Sequence, residues 1–112
     1  FKKSGFENQI HQHIGNALDI IPNIKDSFDL IFIDADKENY INYFNLIINK
    51  LNKNGVLLSD NVLWSGKVVN KSNNEDIQTK TLKKYNKIIN EDKRTETIIL
   101  PIRDGISITR KK

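Results

Sequence analysis

Two short stretches of this chain end in groups that can hold a cation and move a proton. The apolar run Phe28-Asp29-Leu30-Ile31-Phe32-Ile33 is followed at once by Asp34-Ala35-Asp36-Lys37, and the run Val56-Leu57-Leu58-Ser59 by Asp60-Asn61. Asp34, Asp60 and Asn61 offer three oxygen donors, a set suited to a hard divalent cation. Mg2+ fits best, because it prefers oxygen and keeps positions open for water or substrate. The competing reading is that Asp and Asn merely cap helices and begin turns at such places, and spacing alone does not choose between the two. Lys37 follows Asp34 by three residues. Positive charge beside a lysine favours the neutral amine, and a neutral amine can serve as general base; taken alone, Lys37 reads as an ordinary surface lysine. Trp64, the single tryptophan, sits in a polar loop where it can stack on a planar substrate or close the loop over the core. His11 and His13 lie two apart with no third ligand in view, so they read as a half-exposed strand face rather than a metal pair. The sequence has no G-x-G-x-x-G and no Walker A loop, and nothing in it suggests a Ser–His–Asp or Cys–His arrangement.

Elements must bring these residues to one place. Asn8 to Ile14 alternates loosely and stops at Gly15, which predicts a strand. Asn16 can cap a short helix, Ala17 to Ile21, stopped near Pro22. The run from Phe28 to Ile33 reads as a strand buried on both faces, as in a helix-covered parallel sheet. Tyr40, Ile41, Phe44, Ile47, Ile48 and Leu51 mark one face of an amphipathic helix, Glu38 to Lys53, closed by Asn54-Gly55. Val56 to Ser59 is a second buried strand, completing a right-handed βαβ unit. Asp60 to Asn74 reads as a loop, Asn74 to Asn90 as a helix, and Glu96 to Ile102 and Ile106 to Thr109 as strands. Arg103-Asp104-Gly105 between the last two is a hairpin signal. The result is an open α/β sheet, mostly parallel, ending in an antiparallel hairpin. In such sheets ligands bind outside the carboxyl ends of the strands, where Asp34 and Asp60 stand.

The 112 residues allow one domain. The absence of cysteine excludes disulfide scaffolds and thiolate metal sites. No run approaches the roughly 20 apolar residues of a membrane span, so a soluble, cytoplasmic protein with no membrane partner is expected. The net charge of +4 is weak support for a polyanion partner, because the chain is rich in Ile, Asn and Lys throughout. The chain opens on Phe1 and contains no methionine, and its first strand lacks neighbours; both suggest a piece of a longer protein.

With these residues in view, the segment from Phe28 to Tyr40 resembles the central signature of the cation-dependent O-methyltransferases, the caffeoyl-CoA and catechol O-methyltransferase group. Leu58-Ser59-Asp60-Asn61-Val62-Leu63-Trp64-Ser65-Gly66-Lys67-Val68 resembles its second signature, Gly15-Asn16-Ala17-Leu18 the segment near the adenine, and Arg103-Asp104-Gly105-Ile106 the closing hairpin of bacterial members. The resemblance implies a Rossmann-like class I methyltransferase fold. Residues 1–112 would be the C-terminal part of one S-adenosylmethionine-dependent domain whose N-terminal half is missing, together with the glycine-rich motif and the ribose-binding acid. It implies Asp34, Asp60 and Asn61 as cation ligands and Lys37 as general base. Asp34 would also face the methionine part of the cofactor, Asn16 and Ala17 would lie by the adenine, and Trp64 would belong to the acceptor-side loop. Asn16 stands where the family usually has Asp.

The implied activity is methyl transfer to a hydroxyl beside a second oxygen, on a catechol-like phenol or on 5-hydroxyuridine of tRNA, by a full-length homodimer. The alternatives are a non-catalytic α/β module that binds metal or RNA, and an inactive methyltransferase fragment.

Overall fold

The computed structural model describes residues 5–64, 66–69 and 75–112. In chain order the elements are α1 (Ala17–Ile20), β1 (Phe28–Ile33), α2 (Tyr40–Ile47), β2 (Leu51–Asp60), α3 (Ile77–Glu91), β3 (Thr95–Leu100) and β4 (Ile106–Lys111). Single 3-10 turns, Lys37–Asn39 and Ile48–Lys50, extend α2 at both ends. The strands form one sheet in the order β1-β2-β4-β3. β1 and β2 run parallel, and β4 runs antiparallel to both β2 and β3. Parallel pairing is thus confined to the βαβ unit, less than the mostly parallel sheet expected, because the return strand of the closing hairpin inserts beside β2.

Helices α2 and α3 cover one face of this sheet. Tyr40, Tyr43, Phe44 and Ile47 of α2 and Leu82, Tyr85 and Ile89 of α3 are buried against Ile33 and Leu57. The Tyr85 ring meets Tyr40 and Phe44 edge-on at 5.3 and 6.2 Å, a geometry that contributes about 0.5–1.5 kcal/mol per pair beyond area burial. Its hydroxyl shares a buried hydrogen bond with Ser59 Oγ. Asp76 caps α3, its carboxylate accepting from the Thr79 amide at 2.7 Å. Asn74, the expected helix start, lies outside the described residues, as do Phe1 to Ser4 and Ser65.

Three expectations change. Residues 8–14 form no strand: alternation makes a strand only where a ladder partner exists, and none of the described residues pairs with them. His11 and His13 are consequently exposed. Among the described residues β1 is an edge strand rather than one buried on both faces; Leu30 and Phe32 are 60% and 56% exposed on the face opposite the helices. The helix read as Glu38 to Lys53 ends earlier, where Lys111 Nζ donates to the carbonyls of Ile48 and Leu51. The chain enters β2 at once, and Asn54-Gly55 becomes an irregularity inside that strand. Pairing jumps from Phe28↔Leu51 to Leu30↔Val56, and Asn54 adopts φ 67°. Gly55 fits because a Cβ there would stand 2.7 Å from the Asn52 carbonyl oxygen.

Candidate functional site

The parallel pairing of β1 and β2 sets Ile33 beside Ser59, so Asp34 and Asp60 are the next residues on two strands about 4.8 Å apart. Both chains leave the sheet here, at its carboxyl edge. Lys37 lies in the turn that starts α2, and it is 7% exposed. Its Nζ donates to the Ala35 carbonyl at 2.9 Å, to the Tyr40 hydroxyl at 2.8 Å and to Asp34 Oδ1 at 3.3 Å. The Tyr40 hydroxyl in turn donates to the Asp60 carbonyl at 2.8 Å. One buried phenol therefore ties the lysine of the first strand's turn to the end of the second strand. Burial first, then the nearby Asp34 and Asp60 charges, raise the Tyr40 hydroxyl well above the ordinary tyrosine range, so it remains a neutral donor and acceptor.

The two acids of Asp34-Ala35-Asp36 have separate tasks. Asp36 accepts from the Tyr43 hydroxyl and the Asn39 amide, and these bonds hold its carboxyl below the usual carboxylate range. Asp36 is thus the local, turn-forming aspartate. Asp34 has no such role; its side chain is half exposed at the sheet edge, with Lys37 against one oxygen.

Beyond β2 the chain makes a tight loop with Asn61 at φ 61° and Trp64 at φ 48°. Asparagine is among the few residues that enter this region readily. The loop is gripped by the turn between β3 and β4: Val62 N donates to the Gly105 carbonyl at 3.2 Å and Leu63 N to the Asp104 carbonyl at 2.6 Å. Asn61 Nδ2 donates to Asp104 Oδ2 at 3.0 Å. The amide's donor end is so committed, and its carbonyl oxygen is the end able to coordinate a hard cation. The Trp64 ring packs against the core and lies 5.9 Å from Lys37 Nζ, within cation–π reach. Among the described residues its buried indole Nε1 has no hydrogen-bond partner. The ring thus helps close the loop over the core.

Ala17 and Ile21 line a cavity of about 200 Å3 with Ile33, Asp34 and Ala35. The adenine-side and methionine-side candidates Ala17 and Asp34 therefore share one pocket. Asn16 is not among the residues lining it; it caps α1, its Oδ1 accepting from the Leu18 amide at 3.0 Å. Among the described residues no group of three His, Cys, Asp or Glu is placed to hold a metal; the candidate set is two carboxylates and an amide. That donor set, all oxygen with one charge-neutral member, fits a hard divalent cation. Tyr40 and Asp104 belong to the site although sequence reasoning did not assign them there. Tyr40 counted only as an inward helical position and Asp104 only as a turn former; the three-residue step from Lys37 to Tyr40, one helical turn, was the available signal.

The whole chain, residues 1–112, matches the O-methyltransferase family. The caffeoyl-CoA O-methyltransferase of Medicago sativa is 37% identical, across 98% of this chain and 49% of its own length. An SAH-bound methyltransferase from Podospora anserina superposes with a TM-score of 0.87 at 30% identity, over 100% of this chain and 53% of that one. An O-methyltransferase from Bacillus cereus in complex with SAH gives a TM-score of 0.75 at 31% identity, over 86% of this chain and 46% of its own. The chain spans about half the length of the relatives it matches. The shared fold, the match over the full length and the identity together place it: the chain belongs to the O-methyltransferase family.

Proposed function

We propose that these residues are the cation- and base-bearing part of an S-adenosylmethionine-dependent O-methyltransferase that acts on a hydroxyl next to a second oxygen. The observation that carries this reading is the buried Lys37, whose Nζ is fixed between Asp34 and a tyrosine bonded to the end of the neighbouring strand. A surface lysine is not held by three acceptors at 7% exposure. SAH in the related structures and the pocket shared by Ala17 and Asp34 support the cofactor.

Asp34, Asp60 and Asn61 would hold the divalent cation. Bound there, it supplies charge that lowers the pKa of an acceptor hydroxyl, and S-adenosylmethionine supplies the methyl group. With Asp34 turned to the cation, Lys37 would keep only the Ala35 carbonyl and the Tyr40 hydroxyl as acceptors, and as the neutral amine its one lone pair would take the hydroxyl proton. Tyr40 and the Ala35 carbonyl keep that nitrogen in place, and positioning of this kind supplies much of the barrier reduction in a two-reactant step. Trp64 excludes water from one side and offers a flat face to a planar acceptor. Relatives named for caffeoyl-CoA and flavonoid substrates favour a phenolic acceptor with vicinal oxygens over tRNA, and the full-length enzyme is proposed to act as a homodimer.

The test is methyl transfer by the full-length protein from labelled S-adenosylmethionine, with a catechol and undermodified tRNA offered side by side. Label on the catechol supports the reading. Label on tRNA alone keeps the chemistry and replaces the acceptor. Label on neither, with Mg2+ present, moves the protein to the non-catalytic binding class.

A further inference from the structure

We propose that Asp104, in the turn between β3 and β4, is a positioning residue that fixes which end of the Asn61 amide meets the cation. The inference rests on the reading of Asn61 as a cation ligand and deepens it. An asparagine side chain has two nearly isosteric ends, and only the carbonyl oxygen can coordinate a hard cation. Something must therefore choose the orientation. Asp104 Oδ2 accepts the Asn61 Nδ2 hydrogen at 3.0 Å, and a carboxylate cannot accept from the amide's other end. A charge-assisted bond of this sort is about twice as strong as a neutral one, so a reversed amide would lose that bond and set oxygen against oxygen.

The same turn fixes the backbone that carries Asn61. The carbonyls of Asp104 and Gly105 accept from Leu63 and Val62, and Asn86 Nδ2 donates to the Val62 carbonyl at 2.9 Å. Gly105 itself is at φ +82°, with Leu63 so close that a Cβ would lie 2.5 Å from its Cγ. Segments 61–63 and 104–105 are thus joined at three points. The backbone bonds place Asn61, and the Asp104 carboxylate orients it. Partners that orient a metal ligand typically change metal affinity about 10- to 100-fold when removed.

The experiment titrates Mn2+ into the full-length protein by electron paramagnetic resonance, without cofactor or acceptor. Asp104→Ala is expected to weaken Mn2+ binding about 10- to 100-fold, whereas Asp104→Asn, which retains an acceptor oxygen, stays within a few-fold of the parent. Asp104→Ser draws the acceptor back by one bond and removes its charge but keeps a turn-forming residue; it is expected to lose affinity like the alanine variant and replaces it if that variant does not fold. In an Asn61→Ala background, Asp104→Ala should cause no further loss. An equal loss in that background, or parental affinity in both the Ala and Ser variants, overturns the proposal. Absence of Mn2+ binding by the unsubstituted protein overturns the cation reading itself, and this inference with it.

Discussion

At the scale of single residues, the site is a set of groups whose alternatives have been removed. Lys37 has three acceptors and little solvent, Asp36 is consumed by its own turn, and Asp34 remains for the site. Replacing Lys37 with Ala in the full-length enzyme should lower kcat by about 10²- to 10⁴-fold, the usual range for general acid–base groups, with a much smaller change in KM. Unchanged steady-state kinetics would remove Lys37 from the mechanism. The residues proposed to carry this chemistry stand out in the sequence because they directly follow the two apolar runs, and a strand end in an α/β sheet is a known place for ligands. Tyr40 and Asp104 do not. Each acts through a contact formed only when α2 folds back on the sheet edge or when the hairpin meets the loop after β2, and no local pattern encodes such a contact.

At the scale of elements, the sequence was readable wherever periodicity and tertiary partners agreed. Tyr40, Phe44 and Ile47 lie inward as their spacing predicts, and the hairpin after β3 forms where Asp104-Gly105 stands. It failed where the partner decides. Residues 8–14 alternate but have no ladder, and Asn54-Gly55 looks like a helix stop yet sits within β2. Two stability predictions belong here. Gly105→Ala forces an L-residue to φ +82° and drives its Cβ into Leu63; left-handed backbone and overpacking together should destabilise by about 2–5 kcal/mol, visible as a lower urea midpoint. Asp76→Ala removes the cap of α3 and should cost about 1 kcal/mol in the same assay without touching the site. A midpoint for Gly105→Ala equal to the parent's would contradict the packing described for the hairpin and the loop.

At the scale of the whole molecule, the described residues form a sheet that helices cover on one face and that the described residues leave bare on the other. Phe28, Leu30, Phe32 and Ile98 are exposed there, a patch that soluble proteins normally cover. Expressed as this chain alone, the polypeptide should bind ANS and self-associate, and Leu30→Lys with Phe32→Lys should reduce both. A monodisperse monomer that leaves ANS dark would contradict this. The three tyrosines give a second prediction. Burial raises the hydroxyls of Tyr40, Tyr43 and Tyr85, the last two to about 12, against about 10 in an unfolded chain. The folded state thus holds these protons more tightly. Its advantage is complete below about pH 10 and is lost as pH rises above that value. Absorbance at 295 nm should stay flat through the ordinary tyrosine range and rise only as the fold is lost; a phenolate transition near pH 10 with native circular dichroism would contradict the burial of these rings.

The central claim is that Asp34, Asp60 and Asn61 make methyl transfer depend on a divalent cation, with Lys37 as base. The most direct measurement is the initial rate of labelled-methyl transfer to a catechol by the full-length protein before EDTA, after EDTA, and after Mg2+ is restored. The rate is expected to fall to background with EDTA, to return with Mg2+, and to stay at background in Asp60→Ala whatever the Mg2+ concentration. A rate that EDTA leaves unchanged would contradict the claim, and would leave these three residues as turn formers at the end of a sheet.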